Sequence, residues 1–319
     1  MKLTRSLLGC LALIGAAASS AQAQTYPDHA VHIIVPAAPG GGLDLVARFF
    51  ADFMQNRTKN SVVIDNKAGA EVLLGTKFAA TQKPDGYSIL FATSISAFPV
   101  FTKNPGVDVA KDFEFVSMVM RAPQILTVSS KKPYPTVQAL IAAGKAAPGK
   151  LNYTTYGQSI LMMSAVFNQT AGIVAVHIPY SKAQDSAQAI VRGDADYFLA
   201  SLGTLQPWMS GGEMKLLAVT SKDRNPNIPD IPSLPELGVN TPDMNVWMGV
   251  FAPRGTPKDI VEKLNALVAD FCKDADQAKH MRDLGFEPHA NSPEAFKSFF
   301  EIEQAAYVES GRAMGIQPQ

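Results

Sequence analysis

Strand-length and helix-length apolar patterns alternate along most of this chain, and that alternation restricts the fold more than any other feature. Ala30–Val35 reads as a first strand. Pro36 to Gly42 cannot continue it, because two prolines and three glycines break the run. Leu43, Val46, Ala47, Phe50, Phe53 and Met54 then recur at helical spacing. Ser61–Ile64 predicts a second strand and Leu74–Thr81 a second helix. The turn sequence Lys83-Pro84-Asp85-Gly86 ends that helix, and Ser88–Phe91 predicts a third strand. Strand, helix, strand, helix, strand is the order of a parallel sheet covered by helices.

The middle of the chain repeats the pattern. Strands are predicted at Phe115–Val119, Ile125–Ser129, Leu151–Thr154, Ala175–Ile178, Asp196–Leu199 and Lys215–Thr220. Helices are predicted at Val137–Ala146, capped by Thr136, at Ile160–Ala171 and at Ala183–Val191. A proline-rich stretch from Pro226 to Pro242 reads as a loop or surface linker, and Val246–Ala252 as another strand. Thr256-Pro257 and Ser292-Pro293 each place a capping hydroxyl before a proline at the first helical position. The expected fold class is therefore α/β, in two lobes with a cleft between them, since no long tether separates the halves. Crossovers between lobes are expected near Ala122–Ile125 and near Trp247–Phe251, with the C-terminal helices packed back on the first lobe.

The chain opens with an address. Lys2 and Arg5 precede an apolar run from Leu7 to Ala18, followed by Ala21-Gln22-Ala23. This predicts a signal peptide over residues 1–23, cleaved before Gln24, and a location outside the cytoplasm, which the resemblance described below makes periplasmic. Removing Lys2 and Arg5 from the 28 basic residues leaves 26 against 28 acidic ones. That balance leaves no footprint for nucleic acid and no basic patch for an anionic membrane. Cys10 departs with the signal, so Cys272 is the sole cysteine of the mature chain, and the five histidines show no i, i+4 pair. No metal site and no cofactor are expected.

Pro39-Gly40-Gly41-Gly42-Leu43-Asp44 is the most informative motif. Glycines let a ligand approach the backbone, and the helix N-terminus behind them offers unpaired N–H groups and partial positive charge. That suits a carboxylate or a phosphate. A nucleotide reading uses Gly40 and Gly42 as the start of a G-x-G-x-x-G fingerprint and Asp65 as the ribose-binding acid, but the sixth position is Leu45. A third reading gives the glycines a turning role only. A periplasmic enzyme is the other function class; no Gly-x-Ser-x-Gly elbow or triad motif supports it.

Around this loop the chain resembles the Bug family, the periplasmic substrate-binding proteins of tripartite tricarboxylate transporters. The resemblance is carried by Tyr26-Pro27-Asp28, Ile33-Ile34-Val35-Pro36, the glycine loop with Ala47-Arg48, Pro84-Asp85-Gly86-Tyr87 and Lys111-Asp112-Phe113. His177-Ile178-Pro179-Tyr180, Leu217-Ala218-Val219-Thr220-Ser221 and Phe251-Ala252-Pro253-Arg254-Gly255-Thr256-Pro257 continue it. It implies a type II-like two-lobe binding protein without catalysis, with residues 24–124 and 249–319 as lobe 1 and 125–248 as lobe 2. It implies a monomer that captures a small organic carboxylate for membrane permease subunits, or alternatively for a sensor kinase. The ligand-binding residues it implies in lobe 1 are Ala37, Pro39, Gly40, Gly41, Gly42, Leu43, Asp44, Ala70, Glu71, Thr93 and Ser94. In lobe 2 they are Tyr156, Gly157, Gln158, Ser159, Tyr180 and Ala200.

The chain departs from the family where Ala68-Gly69-Ala70-Glu71-Val72-Leu73 replaces a common Pro-Gly-Ala-Gly-Gly-Asn. Leu43, Met162, Met163 and Ala200 also stand where relatives are often more polar. One reading is drift at packing positions. The other is a carboxylate with an apolar or aromatic body, such as a phthalate isomer, with Ser94, Ser96, Tyr156, Gln158 and Ser159 left for a second polar end.

Overall fold

The computed structural model describes residues 26–70, 72–94, 105–209, 211–313 and 315. The segment expected to be a signal peptide, Glu71 and Ser96 lie outside the described residues. In the first lobe, β1 (Val31–Val35), β2 (Val62–Asn66) and β3 (Ser88–Thr93) run parallel in the order β2-β1-β3. The helices α1 (Gly42–Thr58) and α2 (Leu73–Ala80) connect them. In the second lobe, β5 (Leu151–Tyr156), β6 (Ala175–Tyr180) and β7 (Tyr197–Ser201) are parallel in the order β7-β5-β6. Their helices are α5 (Gln158–Ala171) and α6 (Ala183–Arg192), with α7 (Leu202–Met209) leaving β7 directly. The short α3 (Val109–Asp112) leads into β4, and α4 (Val137–Ala146) follows it.

The lobes share β4 (Phe113–Ser129), a single strand of 17 residues where the sequence predicts two. From Phe113 to Pro123 it pairs antiparallel with β9 (Asn245–Pro253); from Gln124 onward it pairs with β7 and with β8 (Met214–Val219). The first crossing thus falls at Pro123/Gln124, inside the expected Ala122–Ile125. The second comes earlier than the expected Trp247–Phe251. All of β9 lies in the first sheet, between β3 and β4, and the chain crosses just before it. There the Thr220 hydroxyl donates to the Met244 carbonyl (2.7 Å).

The C-terminal helices also differ from expectation. α8 (Lys258–Lys273) packs on the first sheet through Val261, Leu264, Val268 and Phe271. α9 (Ala275–Asp283) and the short β10 (Glu287–Pro288) follow on the edge of β4. α10 (Pro293–Ala313) does not stay on the first lobe. Its Phe296 and Phe300 join an aromatic cluster with Phe115, Trp247 and Phe251, whereas its Tyr307 belongs to the second lobe's core with Phe167 and Tyr197. Ser310 further bonds Gln169 of α5 (2.6 Å). Burying each such ring contributes roughly 1.5–3 kcal/mol, so the helix is anchored at both ends.

Two predicted caps hold. Thr136 accepts from the Ala139 N–H (3.1 Å), and Ser292 from the Ala295 N–H (3.1 Å). Thr256 does not cap α8; its hydroxyl donates back to the Pro253 carbonyl (2.8 Å). Cys272 donates to the Val119 carbonyl (3.1 Å), and burial pushes its thiol up to about 12, which keeps it an unreactive packing residue.

Candidate functional site

In open α/β sheets, ligands bind beyond the carboxyl ends of the parallel strands. Here those ends belong to β1, β2, β3, β5, β6 and β7, and four of the helices near them share one property, whereas α7, leaving β7, is capped by Ser201, which accepts from the Thr204 N–H (3.4 Å). None of α1, α2, α5 and α6 has a side-chain cap; their cap positions are Gly41, Val72, Gly157 and Lys182. By contrast α4, α9 and α10, which begin elsewhere, are capped by Thr136, Asp274 and Ser292. α8, starting behind Pro257, is the uncapped exception away from these edges. Uncapped first turns leave N–H donors and partial positive charge available to an anion.

The two carboxyl edges meet. Ser94, at the end of β3, lies 3.5 Å from Ser159 in the first turn of α5. Gly285, in the α9–β10 turn, lies against Gly203 in the first turn of α7. A Cβ on Gly42 would stand 3.4 Å from the Phe286 ring. The first-lobe loop Ala38–Gly42 is exposed, and Ala37 half-buried, on this side.

Of the residues implied by the resemblance, Pro39, Gly41, Gly42, Ser94, Tyr156, Gly157, Gln158 and Ser159 lie along these facing edges, and Tyr180 ends β6. The Tyr156 hydroxyl comes against Ser201 and Thr204 at the start of α7. Asp44 has another role. It is buried, and Oδ2 accepts from the Gly40 N–H (2.9 Å) and Arg48 Nε (2.9 Å). Its Oδ1 accepts from Arg48 Nη2 (3.1 Å) and Asn66 Nδ2 (2.9 Å). Asn66 also donates to the Ala37 carbonyl (3.1 Å). Burial opposes ionisation, but the Arg48, Gly40 and Asn66 hydrogen bonds outweigh it and hold the carboxyl below its ordinary range. Asp44 and the Gly40 N–H are therefore spent on shaping the loop, which leaves Gly41 and Gly42 as its open amides. Thr93 is similarly engaged, donating to the Trp247 carbonyl (2.9 Å). Asp65, the acid of the nucleotide reading, pairs with His32 (3.0 Å).

Four residues expected at the cleft wall are core residues. Leu43 packs in the first lobe's core, Met162 and Met163 on α5 in the second lobe's core, and Ala200 on β7 with Ile125 and Ile190. Their apolar character fills those cores and supplies no wall for an aromatic ligand. The β2–α2 loop remains distinctive. Ala70 has φ 45° and Val72 φ 73°, a left-handed conformation that a β-branched side chain adopts at a cost of roughly 1–2 kcal/mol. Val72→Gly is accordingly expected to raise stability by about 1 kcal/mol in urea unfolding; a loss of stability would show that Val72 packing outweighs the strain.

Sequence reasoning did not single out the turn Arg282–Phe286 or the first turn of α7. Both line a cavity of about 720 Å³ between the lobes, alongside Ala122 and Pro123. Among the described residues, no group of three or more His, Cys, Asp or Glu is placed to hold a metal, and no helix is long and apolar enough to cross a membrane.

Comparison with known proteins agrees with this architecture. Residues 46–308 match the family described as the Tripartite tricarboxylate transporter family receptor. Protein BugT of Bordetella pertussis is 28% identical over 317 residues, 97% of each chain. The solved structure of R. palustris Rpa4515 with adipate is 28% identical, with a TM-score of 0.70 over 92% of this chain and 100% of that one. A TctC solute binding protein from Polaromonas has the same fold, with a TM-score of 0.83 over 91% of this chain, 100% of that one, and 24% identity. With its two-lobe α/β architecture, the chain belongs to the tripartite tricarboxylate transporter receptor family, the solute-binding receptors that include the Bug proteins.

Proposed function

We propose that this protein captures a small organic carboxylate between its lobes, outside the cytoplasm, and delivers it to membrane permease subunits. The observation that carries the reading is the uncapped N-termini of α1, α5 and α6 at the facing carboxyl edges, with the Asp44 latch holding the Gly41–Gly42 amides in the exposed loop. Such a site binds a carboxylate through backbone donors and needs no metal. The adipate held by the related R. palustris protein is of this chemical class. In this reading residues 24–124 with 249–319 form one body and 125–248 the other, and closure excludes water from the bound carboxylate.

A thermal-shift screen of carboxylic acids tests the function: a ligand at about 100 times its Kd adds about 2.7 kcal/mol of stability. Gly41→Val tests the site. Gly41 is extended (φ −79°, ψ 166°), and an added Cβ would approach only the Ala38 carbonyl, at 3.9 Å, so the variant folds. Its side chain stands before the first turn of α1, and affinity by calorimetry is expected to fall at least tenfold, about 1.4 kcal/mol. A folded variant with undiminished affinity would place the carboxylate elsewhere.

A further inference from the structure

We propose that the carboxyl group of Glu303 is a proton-operated lock between the lobes: with its proton it keeps α10 seated on both, and without it the lobes part. The inference rests on the lobe closure of the proposed function and adds what governs that movement.

Among the described residues, three elements run from one lobe to the other. Two are the crossings, in β4 at Pro123/Gln124 and just before β9, and both can bend as hinges. The third is α10, a helix of 21 residues. Its Phe296 and Phe300 lie in the first lobe's aromatic cluster and its Tyr307 in the second lobe's core. A helix is a rod held by its own hydrogen bonds, so it cannot keep both seats while one lobe turns against the other. Glu303 stands between the two seats and is buried. Its Oε2 accepts from Trp247 Nε1 of β9 (2.7 Å), and its Oε1 from the Tyr307 hydroxyl (2.9 Å). One carboxyl thus ties the first sheet to the second-lobe end of α10, in an arrangement where the carboxyl edges meet at Ser94 and Ser159.

No cation supports a charge at this junction. Asp243, in the second crossing, has the same sign and adds to the effect of burial. α5, packed along α10, carries no titratable side chain. On β4, Glu114 pairs with Arg254 (3.4 Å) and Arg121 with Glu287 (4.0 Å). On α10 itself, Glu301 pairs with Lys297 (3.9 Å) and Glu309 accepts from Gln169 (3.1 Å). Burial keeps the hydroxyls of Tyr153, Tyr197 and Tyr307 protonated. An ionised Glu303 therefore gains from any movement that admits water, and parting of the lobes at α10 is such a movement. Where water reaches it, the carboxyl titrates near its ordinary 4.5; in the arrangement described here burial holds it at about 8. The joined arrangement is thus fully favoured below pH 4.5 and loses favour as pH rises to about 8.

Small-angle scattering of the ligand-free mature chain at pH 5, 6, 7, 8 and 9, with far-ultraviolet circular dichroism beside it, tests the lock. The radius of gyration of the wild type is expected to rise across this series while the dichroism stays constant. Glu303→Gln keeps the shape, an acceptor for Trp247 and a donor for Tyr307, and does not ionise. Its radius should stay at the wild type's pH 5 value throughout. A wild type of constant radius overturns the lock, as does a variant that expands with pH like the wild type or is already expanded at pH 5. Loss of the dichroism signal by pH 9 also overturns it, since Glu303 would then hold the fold and not the lobe arrangement. Because no acid is added, each of these results leaves the carboxylate reading standing.

Discussion

Changing Glu303 to glutamine is expected to stabilise the protein by several kcal/mol at pH 8 and by little at pH 4.5. Glu303 is buried on α10, where Trp247 Nε1 donates to one carboxyl oxygen (2.7 Å) and the Tyr307 hydroxyl to the other (2.9 Å). Burial pushes its pKa up to about 8 from an ordinary 4.5, against the lowering effect of those two hydrogen bonds; Asp243 adds to the rise. Below pH 4.5 the carboxyl is protonated in both the folded and the unfolded chain and contributes no pH dependence. Between about 4.5 and 8 the unfolded chain releases a proton that the folded one keeps, so stability falls as pH rises. At about 1.4 kcal/mol per pH unit the window amounts to roughly 4–5 kcal/mol. Glutamine can accept from Trp247 and donate to the Tyr307 oxygen, and it does not ionise. Urea unfolding of both proteins at pH 5, 6, 7 and 8 reads the difference, which should widen with pH. A constant difference would show that Glu303 stays ionised in the folded protein.

Asp44→Ala is expected to cost about 2–4 kcal/mol and to lower ligand affinity at least tenfold. The change orphans the Gly40 N–H and one Asn66 donor, while Arg48, half-exposed, turns to water. The loop then loses the bonds that fix Gly41 and Gly42, and ligand binding must supply that order itself. Because the carboxyl is held below its ordinary 3.8, its contribution is complete above that pH and disappears as pH falls through the lowered value. Calorimetry beside urea unfolding separates the two effects. Intact affinity in a folded Asp44→Ala protein would mean that the glycine loop needs no latch.

The elements visible in the sequence are those whose residues agree locally. The β-branched runs of β1 and β5, the periodic face of α1, and Thr136 and Ser292 each carry a signal that the fold does not override. The continuity of β4 was hidden by Arg121-Ala122-Pro123-Gln124, which reads as a break. Pro123 is tolerated because it sits where the strand exchanges β9 for β7 and β8 as partners. α7 was hidden by Gly203 and Pro207. The site was legible as a loop but not residue by residue. A carboxylate that latches a loop has the same one-letter signature as one that meets a ligand, so the resemblance alone makes Asp44 a ligand-binding residue. The resemblance implies Ala200 as a ligand-binding residue, and in a strand covered on both faces no alternation is left to separate cleft from core and correct it.

The position of β9 fixes when this protein can fold. Its nine residues are the middle of the first sheet, separating β3 from β4, yet they are made after the whole second lobe. As the chain leaves the ribosome, the first sheet stays split until Pro253 emerges, and α10 cannot lock Trp247 until Glu303 follows. Contacts of such long sequence separation form slowly. The first lobe therefore cannot complete its sheet until four-fifths of the chain has been made, whereas the strands of the second lobe are all in place before β9.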